Sequence, residues 1–244
     1  MKNTPFIAVT SQPVPYHADT TAIFNTLCQQ NSNSLLLDSA EIGSKNSLQS
    51  LILINAAVKI TCFGNQVTFR ALNANGKQVL KEIHPVLSQL GTVSAVNFDN
   101  EFSVQFAPLD NQLDEDSKLQ AATIFDGLRV ISNHYQHSST PVFLGGLFAY
   151  DLVANFIPMQ GVELKDDGIH CPDYSFYLAE NLITIDHQSQ QATLKSFCFS
   201  QEEQVEVAKT ALSIAQKLKN IDGVLSIKAA SDEVSTNFED PEFT

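Results

Sequence analysis

The sequence predicts an α+β domain, built from antiparallel β-sheets with flanking helices. Three observations carry this. Residues 58–63 (VKITCF) and 66–72 (QVTFRAL) alternate apolar and polar side chains around Gly64-Asn65, a two-residue hairpin signal. Residues 174–187 (YSFYLAENLITIDH) and 192–199 (ATLKSFCF) read as two more strands around the polar turn HQSQQ. QEEQVEVAKTALSIAQKLKN, residues 201–220, is an amphipathic helix with an acidic start and a basic end, as the helix dipole favours.

The other elements follow in order. DTTAIFNTLCQQ, residues 19–30, opens with a capping Asp or Thr and sets Ile23, Phe24 and Leu27 on one helical face. Leu35 to Asp38 reads as a short buried strand. Asn75-Gly76 is expected to end the strand begun at Gln66. KQVLKEIHPVLSQL is then helical, with Pro85 as a local interruption. Residues 92–107 look extended. The acidic run Asp114-Glu115-Asp116 suits a helix N-terminus. Behind it, KLQAATIFDGLRVISNHY places Ile124, Phe125, Leu128, Ile131 and Tyr135 on a helical repeat. VFLGGLFAYDLV reads as a buried strand with a Gly-Gly close approach, running into a short helix. GVLSIKA is one further candidate strand, and the chain closes polar and acidic.

Composition narrows the function. The 244 residues are 43% hydrophobic and 17% charged, enough to bury a sizeable core. The net charge of −13 repels phosphate, which argues against nucleic acid and against anionic lipid surfaces. The longest apolar stretch, LILINAAV, is too short to span a bilayer, and MKNTPFIAVTSQPVP lacks the apolar core of a signal peptide. Cys28, Cys62, Cys171 and Cys198 are widely spaced, which fits reduced thiols in a cytoplasmic protein better than disulfides or a zinc site.

The segment LLLDSAEIGSKN, residues 35–46, makes the most specific chemical offer. Asp38, Ser39 and Glu41 are readable as turn or helix caps. They are also readable, as the less common case, as a pocket in which a carboxylate holds a ligand ammonium and a hydroxyl adds a polar contact. Competing motifs are thinner. His134 and His137 lack a third metal ligand at fitting spacing. Gly145-Gly146 belongs to neither GxGxxG nor GxxxxGK. Asp151 suits a helix start.

Several long segments together resemble a known family. LLLDSAEIGSKNSLQSLILINAAVKITCFGNQVTFRALNANG, PLDNQLDEDSKL, IFDGLR, FLGGLFAYDLVANF and CPDYSFYLAENLITIDHQ are similar, in the same order, to anthranilate synthase component I. The resemblance runs from about residue 20 to 235, and aminodeoxychorismate synthase component I shares parts of it more loosely. It implies the fold of the family's amino-terminal part. A tryptophan-sensing domain is expected over residues 1–225, and residues 226–244 start the connection to a chorismate-binding catalytic domain missing from this chain. In the family that domain carries motifs such as PIAGTRPRG and GAPK, neither of which occurs here.

The resemblance also implies an activity for the full subunit: chorismate is converted to anthranilate with Mg²⁺ and with ammonia from a glutamine amidotransferase, component II. L-tryptophan inhibits at a separate site. Carried over residue by residue, Ser39 binds tryptophan, with Asp38 and Leu37 beside it. Arg129 and Cys171 match positions linked to inhibitor response. Asp38 stands where the family usually has Glu, and Gln49 where it usually has Lys. No catalytic residue, metal ligand or cofactor is expected within these 244 residues. The alternatives are a stand-alone tryptophan-binding or assembly module, and a chorismate enzyme complete in itself.

Overall fold

The computed structural model describes residues 5–29, 31–38, 48–97, 99–108, 114–138, 140–155 and 171–221. Among them nine strands form one sheet, with every pairing antiparallel. Two long strands make its spine: β3 (Gln49–Phe63) pairs along most of its length with β8 (Tyr174–Asp186). Each spine strand also serves two shorter neighbours. The first part of β3 pairs with β2 (Leu35–Asp38) and its last part with β4 (Gln66–Ala71). The first part of β8 pairs with β7 (Leu144–Phe148) and its last part with β9 (Gln191–Cys198). Beyond β9 lies β1 (Ala8–Val14), and beyond β4 lie β6 (Glu101–Gln105) and then β5 (Thr92–Asn97).

An irregularity in β3 decides which face each side chain takes. Leu53 pairs with Leu182 and Val58 with Leu178, so β3 spends five steps where β8 spends four. The extra residue lies near Asn55 and reverses the alternation of β3, as a bulge must. Before it, Ile52 and Ile54 join Ile183, Ile185 and Leu194 in a core under α1 (Thr20–Cys28) and α5 (Gln204–Lys219). After it, Val58, Ile60 and Cys62 join Phe69, Phe102 and Leu178 in the larger core under α2 (Ala74–Leu87) and α4 (Asp126–His134). One sheet therefore carries two cores on opposite faces.

Local chemistry explains the element ends. Asp19 caps α1 by accepting from the Ala22 N–H at 2.8 Å. The β3–β4 hairpin turns at Gly64 with φ +54°, the one central position of a type II′ loop that needs a positive angle. Asn75-Gly76 does not end a strand. Asn73 caps α2 by accepting from the Gly76 N–H at 2.8 Å, and Gly76 lies in the first helical turn. A Cβ there would stand 1.9 Å from the Ala57 carbonyl oxygen, so glycine lets the helix start press on β3. Pro85 lies inside α2, which runs two residues beyond it; the lost N–H bond falls in the last turn.

The expected single helix over residues 118–135 is two. The segment α3 (Glu115–Gln120) stops, and the Asp126 carboxylate accepts from the Thr123 N–H at 2.6 Å before α4 begins. The extended stretch 92–107 is the hairpin β5–β6. Strand β1 was hidden by its prolines: Pro13 is tolerated because β1 is an edge strand paired only to β9. Strand β7 is less buried than expected. Gly146 does make the close approach, with a Cβ position 2.2 Å from the Ser175 carbonyl oxygen, but Leu147 and Phe148 are exposed. A 3₁₀ helix, Tyr150–Asn155, follows it and contains Asp151. The candidate strand at 223–229 and the connection at 226–244 lie outside the described residues.

Candidate ligand site

Asp38 is the last residue of β2, opposite Ser50 of β3. The strand is half-buried rather than buried, and Leu37 and Asp38 face solvent at its end, Leu37 being 39% exposed. Below them is a chain of polar side chains from α1, β3 and the segments that follow β1 and β8. The Thr20 hydroxyl at the start of α1 donates to Asp38 Oδ2 at 3.2 Å. The Ser50 hydroxyl, fully buried, donates to Asp38 Oδ1. Ser50 Oγ also lies 2.8 Å from His187 Nε2, and the Tyr16 hydroxyl lies 3.2 Å from His187 Nδ1. Tyr16 and His187 meet edge to face, with centroids 5.9 Å apart. The His187 N–H donates to the Leu48 carbonyl at 2.9 Å, which ties the end of β8 to the residue before β3. Asp38 is thus an exposed carboxylate on a fixed base.

Ser39 and Glu41 lie outside the described residues. Arg129 is on α4, exposed, with Asp126 as its partner at 3.4 Å. Its helix packs on α2, whereas β2 packs on β3 and α1. Cys171 is exposed and precedes β8, a strand roughly 40 Å long at ~3.3 Å per residue, at the end remote from His187. The structure therefore gathers Leu37 and Asp38 at one point and sets Arg129 and Cys171 apart from it. All four cysteines are free, and Cys28, Cys62 and Cys198 are buried. Burial, and then the charge of Asp173, pushes the Cys62 thiol up to about 12. His134 binds the Glu82 carboxylate at 3.0 Å and Tyr135 donates to the same oxygen at 2.9 Å. That pairing gives His134 a packing role. No group of three or more His, Cys, Asp and Glu among the described residues is arranged to hold a metal ion.

Sequence reasoning missed a second polar centre at the bulge. Glu180 of β8 is buried, and its Oε2 accepts from Asn73 at 2.8 Å and Asn75 at 2.9 Å. Asn75 also bonds the main chain of Phe197 and Phe199, so α2, β8 and β9 meet there. Burial raises the Glu180 carboxyl above its ordinary value despite these donors. A crevice of about 210 Å³ opens beside it, lined by Asn31, Asn55, Asn73 and Thr210 among others. The bulge at Asn55 could have been suspected from an Asn in an otherwise apolar run, but Asn73 and Asn75 read only as turn residues.

The sheet with its helices and the collinear segments around Asp38 define a class. The chain belongs to the chorismate binding enzyme family, whose model matches residues 79–242. Within it, the chain is 85% identical over 239 residues to anthranilate synthase component 1 of Haemophilus influenzae, covering 98% of this chain and 46% of that protein. It is 40% identical over 253 residues to the Vibrio cholerae protein of the same name, covering 100% and 47%. To that of Escherichia coli it is 36% identical over 199 residues, covering 80% and 37%. The chain spans about half the length of the curated relatives it matches. No helix among its described residues is long and apolar enough to cross a membrane.

Proposed function

We propose that this chain is the regulatory amino-terminal region of an anthranilate synthase component I. The full subunit converts chorismate to anthranilate with ammonia from a glutamine amidotransferase subunit, in the cytoplasm, and tryptophan restrains it. The observation that carries this reading is the 85% identity to a protein of that name over 98% of the chain. The family's tryptophan motif falls on Leu37, Asp38 and Ser39. In this reading the Asp38 carboxylate holds the ligand ammonium and the Ser39 hydroxyl adds a bond. Tryptophan then favours an inactive arrangement of the whole enzyme by binding its two states unequally. Arg129 and Cys171, away from Asp38, would act on the response indirectly. Magnesium belongs with the chorismate-binding half, whose PIAGTRPRG and GAPK motifs this sequence lacks.

The test is calorimetry with tryptophan on this chain, beside Ser39→Ala. Losing a hydroxyl bond to a charged ligand group costs about 1.5–3 kcal/mol, on the order of 10- to 150-fold in affinity. In the full enzyme Ser39→Ala leaves turnover near normal and relieves inhibition. Equal tryptophan sensitivity in mutant and parent sinks the assignment.

A second reading has its own support: the chorismate binding model matches within this chain, at residues 79–242. Under it the chain handles chorismate unaided. Anthranilate fluorescence from chorismate plus ammonium distinguishes the two, and the regulatory reading expects none.

A further inference from the structure

The geometry points to His187 as a positioning residue for the ligand site: with Ser50 and Tyr16 it forms a directional hydrogen-bond relay that fixes the Asp38 carboxylate for an α-ammonium ligand. This role rests on the reading of Asp38 and Ser39 as an amino-acid site.

Counting protons sets the direction of the relay. A carboxylate only accepts, and a serine hydroxyl has one proton to give. Ser50 gives it to Asp38 Oδ1. Ser50 Oγ must then accept at its other contact, so the proton between it and His187 belongs to Nε2. In the neutral ring this leaves Nδ1 as an acceptor, and the Tyr16 hydroxyl at 3.2 Å is the donor. The sequence of donors is Tyr16 to His187 to Ser50 to Asp38. Tyr16 thereby selects the tautomer that Asp38 needs, although the two lie 22 positions apart in the chain with α1 between them.

The same count excludes a hydrolytic triad. A nucleophilic serine gives its proton to histidine, and a carboxylate holds the far ring nitrogen. Here serine stands between histidine and carboxylate and has no exposed surface. The arrangement cannot attack a substrate; it can orient a carboxylate. Asp38 has one oxygen held by Ser50 and the other by Thr20, while the residue itself faces solvent. A short Asp needs such a base more than a longer side chain would, because it has fewer torsions with which to reach a ligand.

Two measurements test this on the 244-residue chain. Imidazole ¹⁵N NMR reads the tautomer of His187 directly, and Nε2–H is expected near neutral pH. Calorimetry with tryptophan compares parent, His187→Ala and His187→Gln. The alanine variant is expected to bind about tenfold more weakly, the effect of losing one oriented bond. Glutamine, whose amide N–H can occupy the Nε2 position, is expected to restore most of that loss, whereas a purely structural role would make neither variant specific to affinity. Thermal melts of each variant accompany the titrations. An Nδ1–H tautomer overturns the relay whatever the ligand. Alanine binding as tightly as the parent, or glutamine no better than alanine, overturns the positioning role. No binding by the parent overturns the ligand reading, and this role with it.

Discussion

At Asp38 two jobs are separable. Its charge is the feature proposed to hold an ammonium, and its oxygens satisfy Thr20 and the buried Ser50. Asn in its place keeps one acceptor oxygen and removes the charge. Asp38→Asn is expected to melt within a few degrees of the parent while losing about tenfold or more in tryptophan affinity. A large drop in melting temperature with unchanged affinity would show the carboxylate to be structural. Glu180 gives the opposite kind of prediction. Its folded carboxyl is raised by burial, so the folded state holds that proton more tightly than the unfolded chain does. Stability from this group is greatest in acid and falls as pH rises from the unfolded carboxyl value through the folded one. Glu180→Gln, whose amide oxygen can accept both Asn bonds, should therefore melt higher than the parent at pH 7.5, with the difference shrinking toward pH 5. A variant that melts lower at pH 7.5 would show that the charge itself is needed.

Among the elements, α2 is held to β3 by contact rather than by capping alone. Gly76→Ala would drive a methyl into the Ala57 carbonyl, backbone against backbone, and nothing flexible is there to yield. The expected cost is about 3 kcal/mol, read from the denaturation midpoint at unchanged slope. The contrast between elements shows what was legible in sequence. The second half of β3 and β4 carried a strand alternation, β8 and β9 flanked a polar turn, and α5 carried a helical repeat, and each of these formed, whereas the first half of β3 and its bulge went unread. Strand β1 has no such pattern, and its place is set by the β9 edge it covers. The break between α3 and α4 is made by one carboxylate, Asp126, reaching back to Thr123, an event a hydrophobic repeat does not register. The site divides in the same way. Leu37 and Asp38 at a strand end were readable, because local sequence builds the strand. Ser50, His187 and Tyr16 were not, because the sheet brings them there from distant parts of the sequence.

At the largest scale, the described residues make one sheet with a core on each face, and the β3–β8 pair belongs to both. Shared strands make shared stability. Ile54 lies in the core beneath α1 and α5, Ile60 in the core beneath α2 and α4, and both are buried. Truncating either to Ala should cost about 2–5 kcal/mol. Each variant should show one unfolding transition, coincident by far-ultraviolet circular dichroism and tyrosine fluorescence. Tyrosine is the usable probe because the sequence has no tryptophan. Two separated transitions in either variant would mean that the cores melt independently.

The pairing of the first strand with the ninth has a consequence for synthesis. Ala8 closes against Cys198, and the edge of β9 that β1 covers is among the last parts of the described sheet to be made. A ribosome adding ~5–20 residues per second reaches that point roughly 10–40 seconds after β1 has been made. Through that interval β1 has no partner, and the apolar spine strand β3 waits for β8. The nascent chain thus carries unpaired strand edges throughout that interval, a state that chaperones hold and that aggregation competes for.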